Sequence, residues 1–164
     1  MGITRAGLKR LIEMHEAIWD AWWPVLLGLE PEAARRAVGG SFPSVLATTA
    51  HMVSQEIAWQ DRFENRPSER SLGAAWADLA EVHRHWERLR ARRAAWLEGA
   101  DPAATIRYTN ARGEAFESTV GEIWFVLVMH AHFHRGQLAT QLRLLGRTPP
   151  SVHFLRFVAR PQPG

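Results

Sequence analysis

The stretch from Thr119 to Gly146, TVGEIWFVLVMHAHFHRGQLATQLRLLG, reads as one long helix. Thr119 and Glu122 stand at capping-box spacing, where each side chain satisfies the other's free backbone amide, and Gly146 supplies the stop. Within it Ile123, Leu127, His130, His134, Leu138, Gln141 and Leu145 recur at i, i+3, i+4 and i+7, so they share one side, which turns toward a core. His130 and His134 lie one turn apart and their rings can point at a common atom, the geometry by which one helix chelates a metal ion. The same spacing also suits two hydrogen-bonded core histidines, and a chain with eight histidines can hold such a pair by accident. Gln137 and Gln141 continue the polar line. A core helix presenting His, His, Gln and Gln must satisfy each group, at about 1–3 kcal/mol for every one left unpaired, and a metal or a wet pocket would do so. Gly136 costs about 1 kcal/mol against alanine in a helix interior, which suggests close approach of another backbone. His132 projects to the opposite side.

Working outward, glycine and proline clusters divide the rest into three more helical stretches. The first runs from about Thr4 to Leu29 with Leu8, Leu11, Ile12, Trp19, Trp22 and Trp23 as its apolar stripe, and Pro24 is expected to kink its last part. Pro31 to Pro43, with Gly39-Gly40, reads as a connection. The second helix spans Ser44 to about Asn65 and ends before Pro67. A third, the most polar, covers about Ser71 to Leu97, with Gly99 and Pro102 as its stop. Between it and the long helix, Ile106-Arg107-Tyr108 and Ala115-Phe116-Glu117 flank Asn110-Ala111-Arg112-Gly113, which suits a small hairpin. Val152 to Val158 is expected to add a last short helical turn over the bundle. The pattern as a whole predicts an all-α fold, a four-helix bundle with a small β-hairpin before the last long helix, in a single domain over residues 1–164.

Composition narrows the chemistry. The chain has 164 residues, 46% hydrophobic and 23% charged, as a globular domain does. It has no cysteine, so disulfides, thiolate metal sites and a cysteine nucleophile are excluded, and any reactive thiol arrives as substrate. A pI of about 10.5 accompanies a net charge of only +3, because Lys9 is the sole lysine and arginine stays charged far above neutral pH. Acids are interleaved with the arginines, as in Glu81, Arg84, Glu87 and Arg88, which describes a solvated helix face rather than a nucleic-acid groove. Apolar runs such as Ile123–Met129 are far shorter than the ~20 residues of a membrane span, and no cleavable leader is signalled, so a cytoplasmic location is expected. Phosphate-loop, dinucleotide and nucleophile-elbow motifs do not occur.

A third metal ligand has to come from another helix. His51 is the best candidate, mid-helix among Ala47, Thr48, Ala50 and Ala58, which leave room for a cavity; a packed core histidine is the plainer alternative. His15, in His15-Glu16-Ala17-Ile18-Trp19, lacks the second histidine of a zincin motif. His83 and His85 diverge on a charged helix, and His153 follows the Pro-Pro turn either over the cavity or at the surface. The eight tryptophans suit helical core stripes, with any excess available to a dimer interface.

The run His130-Ala131-His132-Phe133-His134-Arg135-Gly136-Gln137-Leu138, followed by Leu142-Arg143-Leu144-Leu145-Gly146, resembles the HxxxHRGQ signature of the DinB/YfiT-like superfamily. Gly40-Ser41-Phe42-Pro43-Ser44, leading to His51, Trp59 and Arg62, resembles that family's upstream segment. The resemblance implies a bundle with crossover connections, often a homodimer, holding one divalent ion through His51, His130 and His134, with zinc or nickel the leading choices. It also implies a thiol-dependent transferase that joins a low-molecular-weight thiol to an electrophilic small molecule, with Arg62 or Arg135 available for the thiol's carboxylates. The alternatives are hydrolysis by metal-bound hydroxide, for which Glu56 is the first base to test, and a non-enzymatic, stress-induced metal-binding interaction module.

Overall fold

The computed structural model describes residues 2–67, 76–109, 112–152 and 154–159. Its elements are α1 (Arg5–Leu27), a short α2 (Pro31–Arg35), α3 (Val45–Phe63), α4 (Leu79–Leu97), strands β1 (Thr105–Thr109) and β2 (Ala115–Thr119), α5 (Val120–Leu144) and a closing 3-10 turn (Phe154–Phe157). Each long helix starts at a side-chain cap. Thr4, Ser44, Asp78 and Thr119 accept from the backbone amides of Gly7, Ala47, Glu81 and Glu122, and the Thr119–Glu122 capping box forms as expected. α1 continues through Pro24 to Leu27. α4 begins later than the periodicity suggests: residues 71–75 lie outside the described part, and Trp76 to Asp78 are not helical, because Asp78 takes the cap position while Glu81 accepts from the Ala77 amide.

α1 packs against α4 and α5, and α3 packs against the same two. The four long helices therefore form a ring in the order α1, α5, α3, α4, and the links α1–α3 and α4–α5 cross its diagonals, as a bundle with crossover connections requires. The hairpin lies on the second diagonal link. β1 and β2 pair antiparallel, with Thr105 opposite Thr119 and Tyr108 opposite Phe116. The Val120 and Gly121 amides bond back to Ala104 and Pro102, and a Cβ at Gly121 would stand 2.9 Å from the Cβ of Ile3, so only glycine fits where the hairpin enters α5. Asn110 and Ala111, at the expected turn, lie outside the described residues.

The core has two apolar clusters. One gathers Trp19, Trp22, Trp23, Leu26, Val53, Trp86, Leu89, Leu138 and Leu142; the other gathers Leu8, Ile12, Phe63, Val120, Ile123, Trp124 and Leu127. Six of the tryptophans, at 19, 22, 23, 76, 86 and 124, are buried, as core stripes require, while Trp59 and Trp96 are half-buried. Around the buried Glu56 of α3 meet one buried titratable residue from each of the other long helices, His15 of α1, Arg93 of α4 and Arg135 of α5. Among the described residues no helix is long and apolar enough to cross a membrane.

Candidate metal centre

α3 and α5 pack side by side, and His51 on the first meets His130 and His134 on the second. The Nε2 atoms of His51 and His130 are 3.1 Å apart, those of His130 and His134 are 3.1 Å apart, and all three lie within 4.8 Å of one another. Two nitrogens sharing an ion at about 2.1 Å, roughly 90–110° apart, would be separated by about 3.0–3.4 Å; the His51–His130 and His130–His134 pairs match that spacing, and the three residues together form a set that could hold one ion. His134 is buried, while His51 and His130 are half-buried, which leaves the cluster one side toward solvent. Burial, together with the neighbouring imidazoles, lowers the His51 pKa to about 4, and burial followed by His134 lowers that of His130. Both rings are thereby kept in the neutral form that ligates metal.

The glutamines of α5 serve this cluster instead of joining it. Gln137 Oε1 accepts from His134 Nδ1 at 3.0 Å, and its amide nitrogen donates to Ser41 Oγ at 2.7 Å. That assignment places the His134 proton on Nδ1 and leaves the Nε2 lone pair facing the other histidines. Gln141, fully buried, donates to the carbonyls of Gly39 and Phe42, each at 2.9 Å, and accepts from Thr48 Oγ1 at 3.0 Å. It latches the 39–42 segment so that the Phe42 ring stacks on His51, with centroids 4.2 Å apart, and leans on His134. Gly39 and Gly40 have φ of 88° and 111°, so the segment follows a path that side chains with a Cβ rarely take. The connection read from Pro31 to Pro43 is thus a wall of the site, and its Gly-Gly pair was the available signal.

Other candidates lie elsewhere. His132 is exposed and meets Phe154 edge-on; His83 pairs with Glu87 and packs on Trp23; His85 stacks on Trp76; His153 is outside the described residues. Arg62 sits over the Trp59 ring at 4.7 Å and donates to the Ala58 carbonyl. Arg135 does not face an opening. It is buried over Trp19, 5.1 Å from the ring centroid, with none of its guanidinium nitrogens hydrogen-bonded. Burial, opposed by attraction to Glu56, lowers its pKa to about 10, so it remains a cation at neutral pH but is out of a ligand's reach.

Glu56 is likewise committed. Its Oε1 accepts from His15 Nε2 at 2.9 Å and Trp19 Nε1 at 3.1 Å, and its Oε2 from Arg93 at 2.8 Å. Burial alone would raise its pKa, but His15 and Arg93 outweigh burial and hold the carboxyl well below the usual carboxylate range. His15, fully buried, is pushed down mainly by burial, and donates as a neutral ring. A carboxylate with three donors and a depressed pKa is a poor general base. This polar layer was not anticipated from the sequence; its signal was a polar residue interrupting the apolar stripe of each helix.

Comparison with known proteins agrees with this picture. The sequence model of the DinB family matches residues 8–163. A crystal structure of a DinB family member protein from Shewanella denitrificans superposes with a TM-score of 0.53 at 16% identity, covering 99% of this chain and 93% of that one. No curated protein matches the sequence.

Proposed function

The chain belongs to the DinB family, and we propose that it is a metal-dependent enzyme that activates a low-molecular-weight thiol for transfer of its sulfur to an electrophile. The observation that carries this reading is the gathering of His51, His130 and His134 at the α3–α5 seam, with one ring nitrogen from each lying within 4.8 Å of the others. Three imidazoles are neutral ligands, and a zinc-like or nickel ion bound there would keep its full double charge, favouring thiolate over thiol near neutral pH. The chain's own groups supply the rest. Gln137 fixes the His134 tautomer, and Phe42 shields one flank from water while the half-buried side stays open to a ligand.

Since the chain has no cysteine, the sulfur comes from the small thiol. Its sulfur forms a bond to the electrophilic carbon, that carbon's bond to its leaving group breaks with the electron pair, and the thiol proton passes to solvent. Arg62 follows His51 on one face of α3 at positions 51, 55, 59 and 62, about 16 Å along the helix, and is the cation placed to meet a carboxylate on an elongated thiol. Hydrolysis has less support, because Glu56, its candidate base, is held by His15, Trp19 and Arg93. A purely structural metal site would be closed to water, whereas two of these three rings are partly open.

Elemental analysis of untagged protein tests the metal, with about one equivalent expected for the wild type and a clear loss for His51→Ala. Turnover of an electrophile by the metal-loaded protein tests the chemistry. Turnover is expected only when thiol is added, and equal turnover without thiol would reject the transferase in favour of hydrolysis.

A further inference from the structure

From Thr48 to Phe63 every residue of α3 is buried except His51, Gln55, Trp59 and Arg62, which are half-buried and follow one another at i, i+4, i+8 and i+11. Solvent therefore reaches this length of the helix along a single line that begins at the histidine cluster. Three of its four members have partners in the fold. His51 faces His130, Trp59 packs on Phe63 and meets the Tyr108 ring edge-on at 4.9 Å, and Arg62 lies over Trp59. Gln55 stands apart. Among the described residues its side chain makes no hydrogen bond. The other described glutamines are all engaged: Gln60 donates to Glu64, Gln137 to Ser41, and Gln141 to the carbonyls of Gly39 and Phe42.

A glutamine amide offers an acceptor oxygen beside a nitrogen that donates. Within one turn of Gln55 along the line stand His51, Met52, Ala58 and Trp59, none of which carries a formal charge. The surroundings thus suit a neutral partner that both donates and accepts, in preference to a carboxylate or an ammonium group. Gln55 also lies four residues, about 6 Å, along α3 from His51, between the histidine cluster and the Arg62 cation.

Resting on the thiol chemistry of the preceding section, we propose that Gln55 is a positioning residue for the thiol, and that the thiol is built on an N-acylated cysteine unit. Such a unit carries an N–H and a C=O on either side of one α-carbon, and in an extended conformation both point the same way, so that one glutamine amide can accept from the first and donate to the second. The CH2–SH arm leaves that same α-carbon. Holding the two polar groups at Gln55 therefore fixes the arc through which the sulfur swings and directs it to the neighbouring histidines. A plain alkyl thiol reaches the histidines too, but leaves the Gln55 amide in water.

Cobalt-loaded protein reports thiol binding without turnover, through the near-ultraviolet absorption that a sulfur ligand brings. N-acetylcysteine amide carries both polar groups and 2-mercaptoethanol carries neither, and each is titrated into wild type and Gln55→Met. The variant is expected to bind N-acetylcysteine amide about tenfold more weakly, the effect of losing a pair of ordinary hydrogen bonds. Its affinity for 2-mercaptoethanol is expected to match the wild type, as are its metal stoichiometry and the urea midpoint of its metal-free form, because Gln55 bonds to nothing in the fold. Gln55→Ala takes its place if Gln55→Met does not fold. Equal affinity of wild type and variant for N-acetylcysteine amide, or a parallel loss for both thiols, overturns the inference and leaves the thiol reading standing. No sulfur absorption from either thiol on the wild type overturns both.

Discussion

His134 is the candidate ligand whose proton is placed by its neighbour, since Gln137 occupies Nδ1 and is itself anchored on Ser41. Gln137→Leu removes that hold without touching a ligand, and metal affinity is expected to fall about 10–100-fold in a chelator competition. Glu56→Ala acts differently. It leaves Arg135 buried with no carboxylate beside it and Arg93 with Glu16 alone, and urea unfolding is expected to show a loss of about 3–5 kcal/mol while metal stoichiometry in the surviving fold is retained. At this scale the sequence made His130 and His134 legible, because helical spacing is local. His51, 79 residues from His130 along the chain, was reached through family pattern and small neighbours. The layer of His15, Glu56, Arg93 and Arg135 was illegible because its members come from four helices and share no spacing; only their intrusion into apolar stripes marks them.

Among the elements, the segment from Val38 to Ser44 does most to shape the site. Its ends are drawn together by the Val38 amide on the Pro43 carbonyl at 2.8 Å, and Gln141 grips it from α5. Gly40→Ala forces a Cβ into a backbone with φ of 111° and within 3.4 Å of the Gln141 amide nitrogen. The expected cost is about 1–3 kcal/mol, with faster hydrogen exchange at Phe42 and weaker metal binding. Periodicity located the four long helices because each repeats its pattern over several turns. It missed α2, whose five residues are too few to show a period, and it started α4 too early because it cannot see the Asp78 cap competing with the residues upstream.

For the whole molecule, the diagonal links are what bring α3 beside α5, and no local pattern in the sequence dictates that neighbour relation. Packing histidines into this seam ties stability to pH. His15, His51 and His130 are all held below the ordinary imidazole value near 6.5, chiefly by burial, and His51 is lowered to about 4. Below 6.5 the unfolded chain takes up protons that the folded chain refuses, so stability is full above that value and falls as pH drops toward 4. Glu56, whose pKa is depressed, contributes fully above the ordinary carboxyl value of 4.5 and starts to lose that contribution only below it. Urea midpoints of metal-free protein between pH 7.5 and 4 should follow this course, with a shallower slope in His51→Ala. Zinc at 100 times its dissociation constant should add about 2.7 kcal/mol at pH 7, a gain that fades as the histidines protonate. The charged layer at mid-height also constrains descent. Exchanging all four of its members for apolar side chains of similar volume would be neutral or stabilising, yet a first step that removes Glu56 leaves Arg135 a buried cation with no carboxylate beside it and Arg93 with Glu16 alone. A lineage has no gradual exit from that arrangement, so the quartet is expected to persist in descendants whose histidine cluster has drifted to other uses.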